Sequence, residues 1–220
     1  MSSVKSLFAN FRLPADDPTG KKTLASMNKN HRKSNLWALK TLQSIVDARR
    51  GFTTNTILDV GCGGGQFLAD LNIAWPDATL IGIDHSPAAI QATLDTNAHL
   101  VVSDKLTAYQ ATADTTLLDD NSVDIVTACE TIYFWPDIDA ALQEMRRILR
   151  PGGIFMVWVD GSNPIMMKPW EKLIGGMHTY TKAELRDVFT RNGFDTLQLA
   201  PPHQPPFYSC LATFGTAPAT

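Results

Sequence analysis

The segment ILDVGCGGGQFLADL, Ile57 to Leu71, constrains this chain most. An apolar run suited to a buried strand enters Gly61-Cys62-Gly63-Gly64-Gly65, and a short helical pattern follows at once. Glycine reaches φ > 0 without steric penalty and lets a ligand approach the backbone closely. A helix starting on such a loop aims its unpaired N–H groups and positive dipole end at whatever lies there. A second apolar run, LIGIDHS, closes on Asp84, twenty-three residues after Gly61. A carboxylate at that strand end is positioned to accept both hydroxyls of a ribose. Loop and carboxylate together read as a nucleoside site. A dinucleotide fingerprint requires Gly or Ala where Gln66 stands, and no G-x-x-x-x-G-K-[ST] phosphate loop occurs; both absences argue against nicotinamide dinucleotides and nucleoside triphosphates.

The rest of the chain builds the frame such a site needs. Strand-like runs at Thr56–Val60, Thr79–Ile83, Leu106–Gln110, Val123–Cys129 and Ile154–Val159 alternate with helical patterns, the sign of a parallel sheet covered by helices. Ser86 and Pro87 suit the cap and first position of one helix. Ile138, Ala141, Leu142, Met145, Ile148 and Leu149 form an apolar stripe over Asp137–Arg150, stopped by Pro151-Gly152-Gly153. Thr181 and Glu184 form a capping box for a last helix, which Gly193 ends. Two more strand-like runs, Phe194–Leu199 and Phe207–Phe214, are joined by a Pro-rich turn short enough for an antiparallel hairpin. Asn35–Arg50 reads as an amphipathic helix carrying Leu36, Leu39, Leu42 and Val46. What precedes it is polar and without pattern, either a packed arm or a lid over the ligand edge of the sheet. The expected division is therefore an N-terminal helical arm over 1–53 and one α/β domain over 54–220.

Composition narrows the class further. A chain of 220 residues, 44% hydrophobic and 19% charged, is one ordinary globular unit. Its net charge of −3 does not match a polyphosphate backbone. Lys21, Lys22, Lys29, Arg32, Lys33 and Lys40 nevertheless gather in the arm. No apolar run reaches a membrane span, and the N-terminus lacks the pattern of a signal peptide. Cys62, Cys129 and Cys210 are few, odd in number and unclustered, which suggests neither disulfides nor a metal site and fits a reducing cytoplasm.

Asp59, Gly61, Gly63 and Gly65 stand as D-x-G-x-G-x-G, and in this the chain resembles the class I S-adenosylmethionine-dependent methyltransferases. The resemblance runs from about Thr54 to Phe214 and includes NSVDIV before the fourth strand and ALQEMRRILRPGGIFMVWV through the fifth. It implies a Rossmann-like, doubly wound, mostly parallel sheet with an antiparallel C-terminal hairpin, and S-adenosyl-L-methionine as cofactor. It implies that Asp84 binds the ribose and that Asp114, in ATADTTLL, accepts from the adenine amino group. CETIYFW follows strand four where the DNA and protein-glutamine amino-group methylases carry [DN]-P-P-[YF], so the resemblance points to the small-molecule branch and away from DNA.

Candidates for the chemistry lie near the strand ends. Tyr133 and His178 are the candidate catalytic groups, and Glu130 is a candidate partner for the cofactor's amino group. Asp160–Tyr180, with Met166, Met167, Trp170 and Met177, suits an apolar substrate wall. His31 and Trp37 belong to a segment similar to the arm that covers the cofactor in some small-molecule members, which makes them candidate lining residues. The expected activity is in-line methyl transfer to a small organic molecule. A non-catalytic S-adenosylmethionine-binding or regulatory protein is the first alternative, and RNA methylation, motivated by the basic arm, the second. No feature specifies an oligomeric state.

Overall fold

The computed structural model describes residues 9–159, 161, 163–199 and 211–218. Its strands are β1 Thr56–Val60, β2 Thr79–Asp84, β3 Leu106–Gln110, β4 Val123–Cys129, β5 Leu149–Val159, β6 Asp195–Leu199 and β7 Leu211–Thr216. They form one sheet in the order β3-β2-β1-β4-β5-β7-β6. The first five neighbours pair in parallel; β7 enters antiparallel between β5 and β6. The helices are α1 Pro18–Asp47, α2 Gln66–Ala74, α3 Pro87–Thr96, α4 Ala98–Val102, α5 Ile138–Ile148, α6 Pro164–Ile174 and α7 Lys182–Arg191.

Strand alternation divides the core into two layers. Ile57, Leu80, Ile154, Met156 and Trp158 face the layer completed by α1, α2 and α3. Leu58, Val126, Phe155 and Val157 face the layer completed by α5 and α7. Both faces of the central strands are covered, which explains their near-continuous apolarity. At the N-terminal edge of β1, Asp124 accepts from the Asn55 and Thr56 N–H groups and pairs with Arg150 at 2.8 Å. At the opposite edge the strand order reverses between β2-β1 and β1-β4, the place where open α/β sheets bind ligands.

Four expectations change. The N-terminal helix is not confined to Asn35–Arg50 but runs unbroken from Pro18 to Asp47. Asp17 caps it by accepting from the Thr19 and Gly20 N–H groups, and Pro18 stands in its first turn. Its front half buries only Gly20, Thr23 and Leu24, too narrow a stripe to give an apolar period. Strand β5 begins at Leu149, not Ile154, because Leu149 pairs with Val123 as soon as α5 ends. The long segment after β5 contains α6, started by Asn163 accepting from the Ile165 and Met166 N–H groups despite Pro169 inside it. The last strand is Leu211–Thr216; residues 207–210 of the expected run, with Cys210, lie outside the described residues.

Candidate active site

The glycine loop lies between β1 and α2 and is held from both sides. Gly61 and Cys62 donate their N–H groups to the Ile83 carbonyl at 2.7 and 3.0 Å. The Gly63 N–H donates to one Asp84 oxygen at 3.1 Å, and the Ser86 N–H to the other at 2.9 Å. Asp84 is thus fixed by two backbone donors at the end of β2, and a carboxylate keeps further lone pairs for a ligand. Gly63 has φ +54°, and a Cβ placed on it would meet no atom nearer than 3.9 Å. Its missing side chain faces open space. Gly65 differs: at φ +76° a Cβ there would come within 2.6 Å of Asn97 Nδ2 and 2.8 Å of the Thr93 backbone.

That open space is a cavity of about 230 Å³ bordered by Gly61, Gly63, Asp84, Ala113 and Asp114. Asp114 is exposed at its rim. The arm supplies much of the remaining wall through Phe11, Pro14, Leu24 and Met27, residues the sequence reading did not single out because they belong to no periodic pattern. A smaller cavity of about 60 Å³ continues along the loop past His31, Asn35, Asp59 and Glu130. Asp59 is buried and accepts from Thr127 Oγ1 at 2.7 Å. Burial pushes its pKa up to about 7, opposed by the Thr127 hydrogen bond and reinforced by the charge of Asp84. Burial also holds the Cys62 and Cys129 thiols well above their ordinary range, so neither is a thiolate nucleophile.

A third cavity, about 170 Å³, opens beside these two. Its walls are mainly apolar: Phe11, Met27, Met167, Trp170, Ile174 and Met177. Its polar side chains include His31, Glu130 and Tyr133. Tyr133 is buried; its hydroxyl donates to Glu130 Oε1 at 3.1 Å and accepts the Gly161 N–H at 3.3 Å. Met27 and Glu130 border all three cavities, so the apolar annex joins the nucleoside-sized space at these two residues.

The structure therefore brings together Asp59, Gly61, Gly63, Asp84, Asp114, Glu130, Tyr133 and His31, with Gly65 supporting the loop from beneath. Two candidates stand apart from this set. His178 is exposed, its ring packed edge-on to Tyr180 at 4.5 Å, while its N–H donates to the Tyr133 carbonyl. Trp37, on the back half of α1, is half-buried against the core layer under that helix and borders none of the three cavities. Trp135 borders the large cavity and stacks on Phe155.

Comparison with known proteins decides what this arrangement belongs to. The family model described as "Methyltransferase domain" matches residues 58–157. A ubiquinone biosynthesis O-methyltransferase from Thiobacillus denitrificans is 30% identical over 172 residues, covering 70% of this chain and 70% of that protein. The chain belongs to the class I S-adenosylmethionine-dependent methyltransferase family. A fatty-acid O-methyltransferase from Mycolicibacterium smegmatis is 27% identical, over 76% of this chain and 57% of its own length. Among solved structures, a chain from the Haloferax volcanii complex between the Trm112 methyltransferase activator and a candidate methyltransferase superposes with TM-score 0.71. It is 24% identical, and the match covers 88% of this chain and 94% of that one; the likeness is one of fold. The chain spans 30% to 57% of the length of the first four curated relatives it matches.

The family's cofactor is S-adenosylmethionine, and the residues present fit it. Asp84 would hold the ribose, and Gly63 leaves room for ligand against backbone, while the missing side chain of Gly61 makes room for Thr131. Asn35, buried in the wall of the smallest cavity, has an Oδ1 with no hydrogen-bond partner. With Asp59 in the same wall, it suits the ammonium end of the cofactor.

Proposed function

We propose that this protein transfers a methyl group from S-adenosylmethionine to a small organic molecule held in the apolar annex. The observation that carries this reading is the junction at Met27 and Glu130, where the cofactor cavity and the annex share a wall. When bound, S-adenosylmethionine supplies a methyl group already activated by its sulfonium. The protein's own residues then have to align the acceptor and exclude water, and positioning of this kind is worth about 7–11 kcal/mol. Asp84 and the glycine loop orient the nucleoside. Phe11 and Met27, contributed by the arm, close the space from outside. Tyr133 fixes the Glu130 carboxylate at the boundary.

An RNA acceptor has less support. Among the described residues no Lys or Arg borders the annex, and Arg32 of the basic arm is paired with the buried Asp70 at 3.1 Å. The test is single-turnover transfer of labelled methyl from S-adenosylmethionine into a pool of extracted small metabolites supplemented with total RNA. Label in an organic-extractable product is the expected result. Label recovered only in RNA, or retained wholly in the cofactor, contradicts the reading.

A further inference from the structure

The annex has an uneven chemistry. Most of its wall is Met, Phe, Trp and Ile, and the titratable side chains within it, His31, Glu130 and Tyr133, gather at its inner end. Glu130 also borders the cofactor cavity, and His31 the loop-side cavity. An apolar pocket with a few convergent polar groups fixes a ligand by one polar end. Here that end lies where the annex meets the cofactor cavity.

The inner end is also tightly constructed. Glu130 has φ +57°, a conformation uncommon for residues other than glycine. Its N–H donates to the Trp158 carbonyl at 2.9 Å, continuing the β4–β5 ladder past Cys129. Tyr133 holds one carboxylate oxygen, as described above. The other lies 3.9 Å from His31 Nδ1. The His31 ring in turn packs edge-on to the buried Trp158 indole, centroids 6.3 Å apart. One residue of β5 thus orients both partners, its carbonyl the carboxylate and its indole the imidazole. A carboxylate behind one ring nitrogen favours the tautomer with the proton on that nitrogen and leaves the other as a base. A separation of 3.9 Å is longer than a hydrogen bond, and such contacts commonly tighten when a substrate completes the site.

We propose that His31, positioned by Glu130, is the general base of this site, and that the acceptor is an apolar molecule presenting an alcoholic or phenolic hydroxyl. This rests on the reading of the chain as a methyltransferase. An amine, a thiolate or a carboxylate acceptor needs no base, whereas a hydroxyl does. In the transfer, the acceptor O–H bond breaks and its proton passes to the imidazole. The acceptor oxygen forms a bond to the methyl carbon, and the carbon–sulfur bond breaks with its electron pair left on sulfur. The imidazolium, stabilised by Glu130, then releases the proton to water. Sulfonium and hydroxyl are consumed; thioether, methyl ether and one proton are produced.

The test compares two probes, 4-nonylphenol and 2-nitro-4-nonylphenol, at saturating labelled S-adenosylmethionine and pH 8. The nitro group leaves the second phenol already ionised, so it needs no base. Wild type is expected to methylate both. His31→Ala and His31→Gln are expected to slow methylation of the plain phenol by about 100-fold, and of the nitrophenol by no more than about fivefold. Two variants are used so that a folding defect in one does not decide the outcome. Glu130→Gln is expected to lower kcat for the plain phenol selectively, with KM little changed. Equal losses on both probes in the His31 variants overturn the base assignment. Methylation of dodecylamine or dodecanethiol with neither phenol accepted overturns the acceptor class while leaving methyl transfer intact. S-adenosylhomocysteine binding without methylation of any probe also overturns this inference and leaves the cofactor site standing. Failure to bind S-adenosylhomocysteine overturns the underlying reading as well.

Discussion

Asp59 and Asp84 sit on neighbouring parallel strands and meet opposite surroundings. Asp84 has two backbone N–H donors. Asp59 has a hydroxyl donor and is buried in the cavity wall, so its charged form is disfavoured and its pKa rises to about 7. The sign of the consequence follows from proton binding. The folded chain keeps a proton that the unfolded chain releases near the ordinary carboxylate value of 3.8, so this group's contribution to stability falls as pH rises from about 4 to about 7. Asn at position 59 keeps an acceptor for Thr127 without the charge. Asp59→Asn is therefore expected to gain stability relative to wild type on going from pH 5 to pH 8, by at most roughly 3 kcal/mol. Urea unfolding at the two pH values measures it. A difference that does not change with pH would show that Asp59 ionises normally in the fold.

The glycine loop and α1 carry the predictions at the scale of elements. Gly63 and Gly65 both adopt positive φ, but only Gly65 has atoms where a side chain would go. Gly63→Ala is expected to fold with a penalty of about 1–2 kcal/mol from its backbone and to lose most cofactor affinity, because its methyl enters the cavity. Gly65→Ala meets the same backbone penalty and adds about 1–3 kcal/mol of overpacking, which thermal melting should report as the larger drop. Similar melting temperatures with cofactor binding intact in Gly63→Ala would contradict the assignment of the open space.

Helix α1 is uneven along its length. Its back half, through Ala38, Leu39, Leu42 and Val46, is part of the core, and Arg49 just beyond its end binds the Gly152 carbonyl and Thr216 Oγ1. The front half meets the loop through the Asn28 side chain donating to the Gly64 carbonyl at 3.0 Å, and through Arg32 with Asp70. Segments with few buried apolar contacts open most readily. Hydrogen exchange should therefore be faster over residues 18–34 than over 35–47, and the front half should gain protection when S-adenosylhomocysteine binds. Equal and high protection in both halves with and without ligand would make the arm static packing.

Over the whole molecule, legibility follows how strongly each feature is tied to local chemistry. The central strands were legible because burial on both faces demands continuous apolarity, as in Val123–Cys129. The nucleoside end of the site was legible because the loop needs glycine at positive φ and the ribose needs a carboxylate at Asp84. The annex was only partly so: Met167, Trp170 and Met177 are legible as substrate wall, yet Met27 and His31 reach the site from a polar stretch that hides the front half of the helix. What brings them there is the length of α1, set by the Asp17 cap and by small buried residues such as Gly20 and Thr23. The Glu130 conformation was invisible for a different reason: it is tied to tertiary contacts such as that with the Trp158 carbonyl.

The central claim is that the cavity between the glycine loop and the arm holds S-adenosylmethionine through Asp84. The measurement closest to it is calorimetric titration of the wild type and Asp84→Ala with S-adenosylhomocysteine, each protein checked for native melting. Two hydrogen bonds from ribose to a charged acceptor are each worth about 1.5–3 kcal/mol. Wild type is expected to bind one equivalent, and Asp84→Ala to bind at least tenfold more weakly. No binding by the wild type, or a loss of less than threefold in a folded Asp84→Ala, would contradict the account.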